Sequence, residues 1–485
     1  MNDMLKKSAT QLAAMIRAGE TTSRAAVEAH IERIREINPT INAVVKDRFE
    51  QARAEADAVD ERIKRREVAD WPPFLGVPCT IKECFRLTGM PNSSGLLARK
   101  NIIADGDATA VSRLRAAGAI PLGVTNVPEL CMWMETDNLI YGRTNNPYNP
   151  KRIVGGSSGG EGAIIAAGGS PFGLGSDIGG SIRMPAFFNG VFGHKPTGGL
   201  VPSTGQHPQA ANEALRYLTT GPLARRAEDL WPLLKIMAGP DGQDPSCLAF
   251  ELGDPGQVEI AGLSVLNVDG MSNRPVTAEL LDVQHKVADA LAARGAQVRT
   301  ERIDELNYAR DLWASMLSVS GTTPYRVMLG QGKPIHAGIE LFKLIFGASE
   351  FTLPGVVLAL IEDFPKLTPR RTQRLVELGR TLKQKVAEMI GPNGVMLFPS
   401  HPVTAPRHRV PLLHPFRYTY TAIFNVLELP VTQVPLGLSR EGLPLGVQVV
   451  AAHGNDHLTV AVAMALEKEF GGWVPPWEAG RTTVA

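Results

Sequence analysis

The chain has 485 residues, 44% of them hydrophobic and 20% charged, with 50 Lys and Arg against 49 Asp and Glu for a formal net charge of +1. This is the composition of a globular protein with a sizeable core, and the even charge balance with no basic block excludes nucleic acid as its main partner. Cys79, Cys84, Cys131 and Cys247 are too few and too scattered for a disulfide framework, and the step from Cys79 to Cys84 is not the spacing of a zinc or redox motif. They read as free thiols in a reducing compartment. Lys6 and Lys7 are followed by no apolar run of signal length, and no uninterrupted apolar window reaches the ~18 residues that a span requires. The expectation is therefore a cytoplasmic protein with no membrane span.

In chain order, Ser8 is placed to cap a helix over "ATQLAAMIRAGE", closed by Gly19. "SRAAVEAHIERIREIN" carries apolar residues at Ala26, Val27, Ile31 and Ile34 and is expected to stop before Pro39. "RFEQARAEADAVDERIKRRE" reads as a charged surface helix. At "WPPFLGVPCTIKECF" the texture changes to short apolar strands punctuated by Gly and Pro, and "DATAVSRLRAAGAIPLGVTNVPEL" reads as helix, glycine turn and buried strand. Helices and strands alternate again over 222–316. The amphipathic "PRRTQRLVELGRTLKQKVAEMI" precedes the strand "GVMLFPS", and "LPVTQVPLGLSREGLPLGVQVVA" reads as two strands about a glycine turn. A closing helix begins at "DHLTVAVAMALEKEF". No linker or repeat interrupts this, so the reading is one α/β domain over 1–485, with a central mixed β-sheet covered by helices on both faces. Within it, 1–68 form an N-terminal helical segment, 69–205 the catalytic core, and 320–368 an irregular segment.

The densest motif is "IVGGSSGGEGAIIAAGGSPFGLGSDIGGSIRMPAFFNG", rich in Gly and Ser yet as apolar as a core. No phosphate loop occurs in it, and the GxGxxG pattern near Gly173–Gly175 fails because Ile178 stands where the third glycine belongs. "GGSSG" satisfies the nucleophile elbow G-x-S-x-G at Ser157. His401, His408, His414, His453 and His457 are available downstream for a Ser-His-Asp arrangement. A serine nucleophile can instead take its proton relay from a lysine. "SDIGGSIR" offers the backbone amides of Ile178, Gly179, Gly180 and Ser181 as an oxyanion hole with the Ser181 hydroxyl beside them, and "GGSSGG" offers a second hydroxyl. Lys82 in "GVPCTIKECF" sits in a sequence that looks buried, where a lysine is disfavoured in its charged form.

"GVPCTIKECF", "GGSSGGEGAIIAAGGSPFGLGSDIGGSIRMPAFFNGVFGHKPT" and "LELPVTQVPLG…GLPLGVQVVA" resemble the amidase signature family over nearly the whole chain. "MPNSSGL", "ELCMW" and "SGGEG" look most like its fatty-acid amide hydrolase branch, in the second, type 2 form. The chain departs from that form by showing no hydrophobic N-terminal anchor, so a membrane location is not expected. The resemblance implies a Ser-Ser-Lys triad: Lys82 as base, Ser157 as bridging serine and Ser181 as nucleophile, the two serines 24 residues apart as in that family. It also implies a cis peptide at Gly156–Ser157, an acyl-enzyme intermediate, and no cofactor or metal. Asp177 and Arg183 flank the nucleophile and are expected to brace the loop as an ion pair. Ser158 is expected to add a hydrogen bond to Lys82, while His194 in "FGHKPT" reads as structural.

For the substrate, Cys131, Met132, Trp133 and Met134 in "ELCMWMETDN" are expected to line the leaving-group side. "GIELFKLIFGASEFTLPGVVLALIEDF" reads either as core packing or as an apolar acyl channel or lid within 320–368. Together they favour a fatty acyl or aryl amide, with ester and carbamate (urethane) hydrolysis as accompanying activities. A glutaminase-type amidotransferase subunit, and a non-catalytic binding protein on the same scaffold, are the alternatives. The expected partner is thus a small hydrophobic amide, ester or carbamate, and a homodimer is common among such relatives.

Overall fold

The computed structural model describes residues 2–68 and 70–479; the expected segment boundary at residue 69 lies outside the described residues. Eleven strands form one continuous mixed sheet. They are β1 (Val44–Asp47), β2 (Pro78–Lys82), β3 (Ile120–Thr125), β4 (Phe172–Asp177), β5 (Phe192–Lys195), β6 (Thr219–Ala224), β7 (Ser264–Asn267), β8 (Gln297–Thr300), β9 (Gly394–Pro399), β10 (Val431–Leu438) and β11 (Pro444–Ala451). Their order is β1-β3-β2-β4-β6-β5-β10-β11-β9-β7-β8. β2 pairs parallel with both β3 and β4, and β7 pairs parallel with β8 and β9, whereas the middle of the sheet is antiparallel. Every residue of β2, β3, β4 and β9 is buried, which is why those strands read as unbroken apolar runs and not as alternation.

The local signals act as their chemistry dictates. Ser8 and Gln11 close a capping box on the helix Ala9–Ala18, and Gly19 ends it at φ 73°. The second helix departs from expectation: it runs Ser23–Ile41, straight through Pro39, and ends on Asn42 in the left-handed conformation. Pro39 lies in the last turn, so only one intrahelical donor is lost, and the Asn42 amide still reaches Asn38 O at 2.7 Å. The charged helix (Phe49–Lys64) buries only the stripe Phe49, Ala52, Ala56 and Val59.

The segment 320–368 is neither plain core nor irregular coil. Short helices Tyr325–Leu329, Ala337–Ile345 and Leu353–Ile361 turn Leu329, Ala337, Val356 and Ala359 onto Leu96 and Leu130, making a small core of their own. Their other face stays in solvent, with Phe342, Ile345 (74% exposed), Phe346 (69%) and Leu360 outward. The same segment walls two cavities beside the sheet. Among the described residues no helix is long and apolar enough to cross a membrane, and all four cysteines are free and buried.

Candidate active site

The parallel pairing of β2 with β4 builds the site. It sets Thr80 opposite Gly173 and Ile81 opposite Leu174, which brings Lys82, at the end of β2, beside Ser176 near the end of β4. Lys82 is fully buried. Its Nζ lies 2.7 Å from Ser157 Oγ, 2.9 Å from Ser176 Oγ and 3.4 Å from Ser176 O. Ser157 opens the loop before the helix Gly159–Ala166, after a cis Gly156–Ser157 peptide. Gly156 admits no side chain, since a Cβ there would stand 2.2 Å from Trp133 O. Ser157 and Ser181 line one cavity of about 60 Å³ with Ser176, Ile178, Leu130, Cys131 and Met132.

The turn after β4 is held by one carboxylate. Asp177 Oδ1 accepts from Gly180 N at 2.7 Å, and Oδ2 from Ile182 N at 3.1 Å. Arg183 closes on both oxygens, with Nε and Nη2 each at 3.0 Å. Burial opposes ionisation of Asp177, but the Arg183 guanidinium outweighs it and holds the carboxyl well below the usual range. Arg183 in turn donates to Thr421 O, Gln448 Oε1 and Asn425 Oδ1 at 2.8, 2.9 and 2.7 Å. The expected bracing pair is present, and it is anchored in the far half of the chain. Gly180 sits at φ 114°, and a Cβ there would lie 1.9 Å from Thr421 Oγ1. Of the four amides expected to face an oxyanion, that of Gly180 is committed to Asp177. Those of Ile178, Gly179 and Ser181 have no acceptor among the described residues.

The match to the Amidase family covers residues 25–460. This chain belongs to the amidase family. It is 47% identical to fatty-acid amide hydrolase 2-A of Danio rerio over 100% of this chain and 92% of that one. To fatty-acid amide hydrolase 2 of Homo sapiens it is 47% identical over 98% and 91%. Among solved structures, 6-aminohexanoate cyclic dimer hydrolase complexed with substrate superposes with a TM-score of 0.81 at 28% identity, covering 97% of this chain and 98% of that one. The α/β architecture with a large mixed sheet is thus that of amidase signature enzymes, and the protein is an amidohydrolase.

Several expected residues of this amidase fall elsewhere. Ser158 does not reach Lys82; its hydroxyl lies 3.4 Å from Ser176 O and from Ser176 N. Ser176 takes the place at Lys82 instead, and nothing in the local sequence singles it out, because only the β2–β4 register puts it there. Cys131 and Met132 line the serine cavity, Trp133 a neighbouring one, and Met134 packs into the core. His194 is buried between Thr432 Oγ1 at 2.9 Å and Asp456 Oδ1 at 3.1 Å, which is a structural role. None of the five late histidines lines the serine cavity: His401 binds Val403 O and His408 binds Glu135. Two buried carboxyls missed in the sequence hold the surroundings. Glu83 accepts from the Ser93 and Ser94 amides at 2.7 Å each. Glu161 accepts from Thr80 Oγ1 at 2.6 Å and Thr125 Oγ1 at 2.9 Å, tying the helix Gly159–Ala166 to β2 and β3.

Proposed function

We propose that this amidase hydrolyses hydrophobic amides, fatty acyl or aryl, through a Ser181–Ser157–Lys82 relay and an acyl-enzyme. The observation that carries the reading is the 2.7 Å approach of buried Lys82 Nζ to Ser157 Oγ, Ser157 in turn lining one cavity with Ser181. A neutral amine has two N–H donors and one lone pair. Ser176 Oγ and Ser176 O accept the two donors, which leaves the lone pair for the Ser157 hydroxyl. Ser157 passes its proton to Lys82 and takes that of Ser181 as Ser181 Oγ attacks the carbonyl carbon. The free amides of Ile178, Gly179 and Ser181 receive the developing oxyanion, each such donor being worth about 2.7–4 kcal/mol. The proton then returns through Ser157 to the departing nitrogen, which would otherwise leave as an unstable anion. Water, deprotonated by the same relay, cleaves the acyl-enzyme and frees Ser181.

Hydrophobic substrates are supported by the apolar walls Ile178, Leu218, Leu317 and Met328, and by the fatty-acid amide hydrolase relatives. Esters and carbamates present the same carbonyl to the same donors and belong to the proposed range. The segment 320–368 serves as the wall and lid of the substrate channel, and four free buried thiols suit a reducing cytoplasm.

The test is hydrolysis of acyl p-nitroanilides from acetyl to long-chain, with an aryl carbamate alongside. Wild type should prefer the longer or aryl acyl groups, and both Ser181→Ala and Lys82→Ala should lose turnover by at least about a thousandfold. Activity surviving Ser181→Ala would refute the nucleophile, and a preference for acetyl would refute the substrate class.

A further inference from the structure

The cavity next to the serines has a chemistry that the hydrolytic relay does not use. Its volume is about 460 Å³, and it shares Met132 as a wall with the serine cavity. The partition is a tight reversal in which Leu130 and Cys131 both take positive φ, 49° and 59°. Leu130 and Cys131 therefore line the serine side, while Glu129 and Trp133 line the other. Of the three carboxylates on the larger cavity, one is hydrogen-bonded and another is open to solvent. Glu135 accepts from His408 Nδ1 at 2.7 Å and Arg409 N at 2.9 Å, and exposed Asp137 faces Arg143 and Arg409.

Glu129 is different. It is 3% exposed, and its Oε2 accepts from Thr352 Oγ1 at 2.8 Å and Thr352 N at 3.1 Å. Its Oε1 is buried with no partner, and no cation is paired with the carboxyl among the described residues. Burial pushes this acid up to about 7. A buried oxygen left without a donor is destabilising, and a ligand that brings a donor recovers that loss. Trp133, Tyr325, Leu344 and Phe351 give the cavity its apolar wall, and Asn138, Ser349 and Arg409 complete the lining.

We propose that this cavity binds an organic ammonium, the amine freed from the scissile amide, with its charged nitrogen held by the Glu129 carboxylate and its carbon body against Trp133 and Phe351. That the amine is the departing one rests on the hydrolytic reading above. When the Ser181 Oγ–C bond forms and the C–N bond breaks, the Ser181 proton passes to nitrogen through Ser157, so the amine leaves as R–NH2. An alkylamine with a basicity near that of lysine, about 10.4, then takes one more proton from water. The resulting cation fits a carboxylate lacking a counter-charge, and the carboxylate product is repelled by it. The two cavities thus sort the two products on either side of Met132.

Isothermal titration of the Ser181→Ala protein with hexylamine, and with 1-hexanol as the uncharged control, tests this without turnover. Hexylamine should bind at least tenfold more tightly than hexanol. Glu129→Gln, matched in size and still able to accept from Thr352, should erase that difference. Equal affinities, or a preference that survives Glu129→Gln, would overturn the proposal. Should Glu129→Gln fail to fold by circular dichroism, Leu344→Trp narrows the partly buried outer wall without touching the carboxyl; it should weaken hexylamine at least fivefold, and unchanged binding would overturn the proposal equally. Failure of wild type to cleave any anilide would remove the hydrolytic reading while leaving the ammonium site intact.

Discussion

At the scale of single residues, the relay depends on which oxygen takes which hydrogen. In the proposed relay, Ser176 O and Oγ accept from Lys82 Nζ and leave the remaining position on nitrogen for Ser157. Ser176→Ala keeps the carbonyl contact and loses the hydroxyl. It should lower kcat about tenfold with little change in KM, a fraction of the 10²–10⁴ that general acid–base groups supply. Ser158→Ala, whose hydroxyl lies only 3.4 Å from its nearest partners, should change kcat less than about threefold. Steady-state kinetics on one anilide separates the two, and a larger effect at Ser158 would refute the assignment of Ser176. Gly180 is constrained twice, by φ 114° and by Thr421 at 1.9 Å from a Cβ. Gly180→Ala should cost about 3 kcal/mol or more in urea unfolding, combining backbone strain with overpacking. Adding Thr421→Ala relieves the contact but not the φ, so recovery should be partial.

At the scale of elements, Glu161 couples a helix to two strands and makes that coupling sensitive to pH. Burial pushes its carboxyl up to about 8, the threonine hydroxyls pulling the other way. The native state therefore keeps a proton that the unfolded chain releases near the ordinary glutamate value of about 4.3. The stabilisation this gives is full below about pH 4.3 and declines as pH rises towards 8, above which both states are ionised. Glu161→Gln carries the neutral form permanently and should flatten that decline. Denaturant midpoints at pH 5 and pH 8 check it: the wild type should lose more stability between them than the variant, and parallel losses would mean that Glu161 is already ionised when folded.

At the scale of the whole molecule, Arg183 joins the two halves of the sheet. Its partners lie at the end of β4, on the helix Thr419–Val426 and on β11. The turn after β4 is thereby built against structure more than 230 residues away, with 238 separating Arg183 from Thr421. Arg183→Met leaves Asp177 buried without its cation and should destabilise the fold by about 3–5 kcal/mol. A drop in the urea midpoint with a parallel loss of turnover is expected; an unchanged midpoint would mean that the turn is held by Asn425 alone.

Much of this was determined by the sequence alone. Runs of buried apolar residues, glycine turns, and caps such as Ser8 and Gly19 define their elements through contacts a few residues apart. The buried lysine at the end of a strand, the paired serines and the glycine loop carry the family resemblance in one local stretch each. The helix through Pro39 escaped because a terminal proline forfeits one hydrogen bond, which packing on the sheet outweighs. What only the tertiary structure decided is which groups meet. Ser176 displaced Ser158 through strand register, Gly180 N turned to Asp177, and Met134 went to the core while its neighbours lined cavities. Glu129 accepts from Thr352, 223 residues away, with no cation paired to it among the described residues. Hydrogen bonds and cavity walls of this kind join residues whose separation in sequence carries no periodic signal, so they exist only once the sheet has closed.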